Sequence, residues 1–215
     1  MSRGIREAPD VGVFNARSIR LTASAKLAET PWYRLAQTAY SDPFFANQAS
    51  RFTPSSWHFP CVYLAKDKQT TVSEVFGDRM ALAQAAGVTV FSIPRALADS
   101  YRYRTVSILP GDLKLCDLTD AETLQNTGLD IASYHLANVQ VPQLWAERIA
   151  NHPSGFDGIQ YRSRHTDQHC LVIWIRPDLT RDLRREMTFG DSGPFRHSKE
   201  AYASAALRGL KLSFL

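Results

Sequence analysis

Short apolar runs bounded by polar residues, proline or glycine predict several β-strands. The clearest is CVYLA at 61–65, which lies between Pro60 and the pair Lys66-Asp67. A polar stretch, HTDQH at 165–169, separates the last two runs and predicts the turn of a hairpin. The other predicted strands are VTVFSI (88–93), RTVSIL (104–109), LKLCDL (113–118), GIQYRSR (158–164) and CLVIWI (170–175).

Helical periodicity predicts a long helix in TTVSEVFGDRMALAQAAG, residues 70–87, with Gly87 as its C-terminal cap. VPQLWAERIANH (141–152) predicts a second helix, and the tail from 198 to 215 predicts a third. Strands and helices follow one another without a regular βαβ rhythm, so we expect a single-domain α+β fold. The apolar stripe of the long helix consists of Val72, Val75, Phe76, Met80 and Ala83.

The composition is typical of a soluble globular protein, because 44% of the 215 residues are hydrophobic and 21% are charged. The formal net charge of +4 suits an anionic small molecule or an acidic partner and is too small to indicate nucleic-acid binding. No apolar run approaches the ~18 residues of a membrane span, and the first residues lack a signal-peptide segment. We therefore expect a cytoplasmic protein that does not enter a membrane.

Metal and phosphate-loop motifs are absent from the sequence. The three cysteines, Cys61, Cys116 and Cys170, form no C-x-x-C pair and are predicted to be reduced thiols. His165 and His169 bracket the predicted turn instead of sharing a helix face, so we expect no metal there. The sequence contains neither G-x-G-x-x-G nor a P-loop, nor a G-x-S-x-G elbow, so a nucleotide would be bound through side chains such as arginine.

Glu74 is open to two interpretations. Thr71 and Glu74 have the spacing of a capping box, in which the two side chains satisfy backbone donors at a helix start. Helical geometry also places Glu74 away from the apolar stripe, on a face shared with the small residues Thr70, Ser73 and Gly77. Small neighbours leave a carboxylate accessible to a ligand, so Glu74 is equally a candidate for an active site.

Arginine, tyrosine and serine side chains supply the other candidate groups. Arg34 and Arg51 lie beside the aromatic residues of PWYRLA and ASRFTP, and arginine binds a diphosphate through paired hydrogen bonds. Tyr63 lies within an apolar strand, where a core position is the default. Ser163 lies between two arginines in a predicted strand and therefore points to the face opposite theirs.

The order of these segments resembles the RES domain family, named for its arginine, glutamate and serine. The resemblance runs from WYRLA at Trp32 to CLVIWI at Ile175, and its best parts are VYLAKDKQTTVSEV and GFDGIQYRSRH. KLCDLTDAETLQNTGLD is similar to the family's middle Asp-Leu segment. Where many members have Gly-Arg-Trp-Asn, this chain has SRFTP, with Phe52 and Thr53 in place of tryptophan and asparagine.

The resemblance implies a fold similar to that of ADP-ribosyltransferases, with mixed or antiparallel sheets and flanking helices. It implies a toxin of a toxin–antitoxin pair that consumes NAD+ as substrate, by hydrolysis or phosphorolysis, without a further cofactor. Arg34 and Arg51 would hold the NAD+ phosphates, and Tyr63 would lie against the nicotinamide–ribose end. Glu74 would be the catalytic carboxylate, supported by Arg34, and Ser163 would hydrogen-bond the substrate.

Two alternative functions stay open at this point. The same site would also serve transfer of ADP-ribose to a protein, and the altered SRFTP loop is compatible with an inactive NAD-binding module. The expected partners are NAD+ and a cognate antitoxin, with homo-oligomers possible and nucleic acid excluded. We expect an N-terminal arm at 1–30, a RES-type catalytic domain at 31–176 and a C-terminal helical extension at 177–215.

Overall fold

The computed structural model describes residues 21–22, 27–39, 50–54, 60–111, 113–127, 129, 139–176 and 182–215. Within these residues, ten strands form two sheets. Eight of them form a mixed sheet in the order β1-β6-β7-β8-β3-β2-β5-β9, and β4 and β10 form a separate parallel pair. The strands are β1 (Leu21–Thr22), β2 (Trp32–Gln37), β3 (Cys61–Ala65), β4 (Val90–Ile93), β5 (Tyr101–Ile108), β6 (Leu115–Asp117), β7 (Gly158–Arg162), β8 (His169–Trp174), β9 (Met187–Pro194) and β10 (Lys211–Phe214).

In the described part of the chain, five α-helices flank the sheets. All neighbours in the large sheet are antiparallel except β6 and β7. The prediction of a single-domain α+β fold with flanking helices is confirmed. The helices are α1 (Lys68–Ala85), α2 (Arg95–Ser100), α3 (Ala121–Thr127), α4 (Gln140–Ala150) and α5 (Lys199–Ala206).

Strand β8 lies at the centre of the fold and is buried on both faces. Its even-numbered residues from Cys170 to Trp174 join a core that also contains Trp145 and Ile149 of α4. The intervening residues join a second core on the opposite face, as the twofold alternation of strand side chains requires. A third cluster packs Val72, Phe76 and Met80 of α1 against Tyr103 of β5, Phe195 and α5.

The sequence located most of these elements and misjudged others. Strand β2 was not predicted, although WYRLA was noted for its aromatic residues. The tail was predicted as one helix, but α5 ends at Ala206 and β10 follows, pairing in parallel with β4. Gly209, with φ +67, lies between them in a conformation that glycine adopts without steric cost.

The C-terminal segment predicted as a helical extension is part of the main fold. Within 177–215 the structure describes residues 182–215, and these supply the edge strand β9 to the large sheet as well as α5. The predicted arm at 1–30 lies mostly outside the described residues, apart from 21–22 and 27–30. Among the helices of the described segments, none is long and apolar enough to cross a membrane.

Candidate active site

The large sheet separates locally between β2 and β3. These antiparallel strands are in register at a single pair, Tyr33 with Ala65, and residues of both strands beyond that pair face a cavity. The cavity has a volume of about 400 Å³, within the usual range for a small-molecule site. Its described lining includes Arg34, Arg51, Tyr63, Thr71, Glu74, Val75, Asp78, Val139, Tyr161, Arg164 and His165.

Glu74 lies on the wall of this cavity and does not cap the helix. Helix α1 begins at Lys68, and Asp67 is its N-cap, accepting a hydrogen bond from the Thr70 amide at 2.7 Å. The capping-box interpretation of Thr71 and Glu74 is therefore wrong, because the helix starts earlier than its apolar stripe indicated. Val75, assigned to that stripe, is instead exposed at the cavity.

The Glu74 carboxylate receives hydrogen bonds from two side chains of the β7 segment. Ser163 Oγ donates to Oε1 at 2.6 Å, and the Tyr161 hydroxyl donates to Oε2 at 3.4 Å. Solvent reaches the residue through the cavity mouth, while protein atoms enclose the carboxylate on its other sides. That enclosure raises the pKa of Glu74, and the Ser163 hydrogen bond and the charges of Arg51 and Arg164 oppose the rise.

Ser163 is almost fully buried and directs its hydroxyl toward Glu74. It follows β7 directly, at the start of the hairpin turn that leads to β8, whereas the sequence pattern placed it within the strand. Its Oγ also accepts a hydrogen bond from the His165 amide at 3.2 Å. The structure therefore places Ser163 behind the carboxylate, whereas the family resemblance assigns it to the substrate.

Tyr63 anchors the loop that carries Arg51. Its hydroxyl accepts hydrogen bonds from Ser50 Oγ at 2.6 Å and from the Phe52 amide at 3.0 Å. Burial raises the pKa of Tyr63, so its hydroxyl stays protonated at neutral pH. The loop is further fixed by Trp174, whose Nε1 donates to the Phe52 carbonyl at 2.8 Å. Arg51 thus reaches the cavity from a loop held by β3 and β8.

The aromatic side chains next to the arginines in sequence are not the cavity's aromatic wall. Trp32 and Phe52 are buried in two different core clusters, and Phe52 packs on Tyr161 with ring centroids 4.6 Å apart. Arg34, from β2, and Arg51 both line the cavity, as do Tyr63 and Tyr161.

Three ionisable residues of the described cavity lining were not singled out from the sequence: Tyr161, Asp78 and Arg164. Tyr161 lies two residues before Ser163, and Asp78 lies one helical turn after Glu74. Both spacings could have predicted that these side chains face the site. Arg164 forms an ion pair with Asp78 across the cavity wall. Its position could not be inferred, because β7 ends at Arg162 and the strand alternation does not extend to residue 164.

In the described lining, three arginines and two carboxylates face one small cavity. This arrangement suits an anionic ligand that carries a cationic centre. Among the described residues, no group of three or more His, Cys, Asp or Glu side chains has a metal-binding arrangement. His165 turns toward Asp78 and Arg208, while His169 begins β8 opposite Arg162. All three cysteines are buried free thiols.

The fold and the cavity define a single-domain α+β protein with a hydrogen-bonded glutamate on the wall of an arginine-lined cleft. The family model for the RES domain matches residues 27–197, so the chain belongs to this family. A chain in the crystal structure of the M. tuberculosis MbcT-MbcA toxin-antitoxin complex has the same fold, with a TM-score of 0.57 and 18% identity. That match covers 92% of this chain and 96% of the other. No curated protein matches the sequence significantly.

Proposed function

We propose that this protein cleaves the bond between nicotinamide and ribose in NAD+, with Glu74 as the catalytic carboxylate. The observation that carries the proposal is the Glu74 carboxylate on the cavity wall, held by Ser163 Oγ at 2.6 Å and faced by Arg34 and Arg51. Membership of the RES domain family supports the same assignment of arginine, glutamate and serine.

The chemistry needs a single acidic group. When the glycosidic C–N bond breaks, its electron pair neutralises the pyridinium nitrogen, so nicotinamide leaves as a neutral molecule without protonation. The remaining ribose carbon develops positive charge, as in the oxocarbenium-like transition state of glycoside hydrolysis. A carboxylate that is already oriented in an enclosed site stabilises that charge without reorganising.

The other side chains bind and orient the substrate. Arg34 and Arg51 would pair with the diphosphate, for which the planar guanidinium provides two parallel hydrogen bonds. Tyr63 and Tyr161 line the cavity beside Glu74 and would flank the nicotinamide and its ribose. Tyr161 also donates to Glu74 at 3.4 Å, so it would help to keep the carboxylate directed at the ribose.

The acceptor would be water or inorganic phosphate. Attack by water at the ribose carbon gives ADP-ribose and releases one proton, while attack by phosphate gives ADP-ribose 1″-phosphate. The arginines that bind the diphosphate leave Arg164 nearby as a further cation. Arg164 is engaged by Asp78, so a phosphate acceptor would compete with that carboxylate.

We further propose that the activity is toxic to the cell that makes it and is restrained by a cognate antitoxin. The support is the fold shared with a chain of a toxin-antitoxin complex. The substrate pool for such a toxin is cytoplasmic NAD+, and buried free thiols are compatible with a reducing compartment.

The altered SRFTP loop does not favour an inactive binding module. Phe52 is fully buried, and both its amide and its carbonyl are hydrogen-bonded, to Tyr63 and Trp174. Thr53 Oγ1 lies 2.6 Å from Ser50 Oγ, inside the same network. The replacements therefore still hold Arg51 at the cavity.

The test is incubation of the purified protein with NAD+, with and without phosphate, while free nicotinamide is measured. We expect release by the parent protein and a loss of at least about 10²-fold in Glu74→Gln, because the neutral amide cannot stabilise the ribose charge. Phosphate dependence would identify the acceptor.

The matched control is Glu122→Gln on α3, an exposed glutamate outside the cavity lining, which should keep parent activity. Substantial release by folded Glu74→Gln would contradict the assignment of the catalytic group. Covalent label on a protein from labelled NAD+ would identify ADP-ribosyl transfer, and calorimetric NAD+ binding without turnover would identify a binding module.

A further inference from the structure

The hairpin turn after β7 is docked on one turn of α1 through three consecutive residues. Ser163 donates to Glu74, Arg164 pairs with Asp78, and the His165 ring lies against the helix between them. Any change in the spacing between turn and helix therefore changes the hydrogen bond to the proposed catalytic carboxylate.

Gly77 provides the space for the His165 ring. A Cβ atom added at Gly77 would lie 2.7 Å from His165 Nε2 and 2.8 Å from both neighbouring ring carbons. Glycine in a helix interior costs about 1 kcal/mol relative to alanine, so a residue that is unfavourable for the helix allows this close approach. Gly77 is buried, and it lies three residues after Glu74 on α1.

His165 is held from the side opposite α1. Arg208, which follows α5, donates from Nη2 to His165 Nδ1 at 2.6 Å. Since arginine can only donate, the imidazole proton is on Nε2, which faces Asp78 Oδ1 at 3.4 Å. Burial, and then the neighbouring arginine charges, lower the pKa of His165 to about 4, so the ring is neutral at physiological pH.

We propose that Gly77 and His165 are positioning residues that set the distance between the hairpin turn and α1 and thereby the Ser163–Glu74 hydrogen bond. The proposal rests on the function proposed above, in which Glu74 carries the chemistry. Its structural basis is the ring of His165 clamped between Gly77 and Arg208, with the His165 amide bonded to Ser163 Oγ.

Displacement of the turn would alter the ionisation of Glu74. The ionisable groups around this carboxylate are Arg51 from the loop, Tyr161 and Arg164 from the β7 segment, Cys170 from β8, and Asp78 on α1. The Ser163 hydrogen bond favours the charged carboxylate, so its loss raises the pKa of Glu74. The acid limb of the pH–activity profile, where an activity that needs the carboxylate falls off, then moves to higher pH.

The experiment is a double-mutant cycle of Gly77→Ala and His165→Ala, with nicotinamide release measured across pH. With His165 present, we expect Gly77→Ala to lower kcat roughly tenfold, to change KM little and to move the acid limb upward. With alanine at 165, the same Gly77→Ala change should cost nothing further, because the added methyl group no longer meets a ring.

Gly190→Ala on β9 is the matched control, since its new Cβ would lie 4.0 Å from its nearest neighbour, Thr105 Cβ. Equal losses from Gly77→Ala in both backgrounds, or no loss in either, would overturn the positioning role. The second readout is the titration of the Glu74 carboxyl carbon by NMR, assigned with Glu74→Gln, which needs no turnover.

The two readouts separate this inference from the proposed function. Suppose that the parent protein releases no nicotinamide, but Gly77→Ala raises the pKa of Glu74 only when His165 is present. That result would refute the proposed function and retain the positioning role. Suppose instead that the parent protein releases nicotinamide, and that Gly77→Ala changes neither kcat nor the titration of Glu74. That result would retain the proposed function and refute the positioning role.

Discussion

At the residue scale, the environment of Glu74 combines enclosure with hydrogen-bond donors. Enclosure favours the protonated acid, while Ser163, Arg51, Arg164 and Tyr161 favour the carboxylate, and the pKa remains raised overall. A group with a raised folded-state pKa contributes stability at low pH that is lost as the pH rises through that pKa. Ionised Glu74 therefore exists in the fold at some expense to its stability.

Removing the Ser163 hydroxyl tests this balance directly. Ser163→Ala deletes the donor that favours the carboxylate, so the pKa of Glu74 should rise and the acid limb of kcat/KM should move to higher pH. We expect kcat/KM near neutral pH to fall about tenfold, since a hydrogen bond to a charged group contributes about 1.5–3 kcal/mol. The check is a pH profile of nicotinamide release.

Ser154→Ala changes an exposed serine before β7 and should leave that profile unchanged. An unshifted acid limb in Ser163→Ala would show that Ser163 acts on the substrate instead, as the family resemblance implies.

At the element scale, the segment Ser50–Pro54 is held at the cavity by three separate elements. Tyr63 on β3 and Trp174 on β8 bond Phe52, and Gln143 Nε2 on α4 donates to the Ser50 carbonyl at 3.1 Å. A short loop with so many anchors has few alternative conformations. The position of Arg51 is therefore set by tertiary contacts of its loop and not by the local sequence.

Tyr63→Phe should weaken substrate binding more than turnover. The change leaves the buried Phe52 amide without its acceptor, at a cost of about 1–3 kcal/mol, and loosens the loop that presents Arg51. We expect KM for NAD+ to rise roughly tenfold, with kcat within about twofold of the parent. Steady-state kinetics on both proteins provide the measurement.

Tyr202→Phe on α5 is the control. That tyrosine is exposed, and within the described residues the hydrogen bond recorded for its hydroxyl is to His197. A fall in kcat at constant KM in Tyr63→Phe would instead indicate that the hydroxyl acts in the transition state.

At the scale of the whole molecule, the large sheet carries a core on each face. Strand β8 contributes residues to both cores, so both cores depend on its pairing with β7 and β3. Gly158 pairs with Ile173 at the start of β7, where the Val172 carbonyl approaches too closely to admit a Cβ. The Leu115 side chain of β6 closes the same site at 3.0 Å.

Gly158→Ala should therefore destabilise the whole fold. The added methyl group meets backbone, which cannot move aside as a flexible side chain can, so we expect the free energy of unfolding to fall by about 2–4 kcal/mol. Urea denaturation followed by circular dichroism is the measurement. Gly190→Ala, on the edge strand, should change it by less than about 1 kcal/mol, and equal effects of the two substitutions would contradict this account.

Local sequence patterns predicted the features that short-range interactions control, namely strands and turns. CVYLA, GIQYR and CLVIW form strands because short apolar runs bury both faces in a sheet. HTDQ (165–168) lies in the turn between β7 and β8. The start of α1 was placed too late, because Asp67 caps it ahead of the apolar stripe. Strand β9 was missed, since an edge strand with exposed polar residues has little apolar periodicity.

The sequence by itself determined the α+β class, most strands and helices, and the residue types of the candidate site, because these depend on periodicity and side-chain chemistry. Only the tertiary structure decided that Glu74 faces Ser163 instead of capping α1, and that Tyr63 holds the Arg51 loop. It also decided that Gly77 receives His165. These contacts join residues 11 to 89 positions apart, and their distances are set by how strands and helices pack.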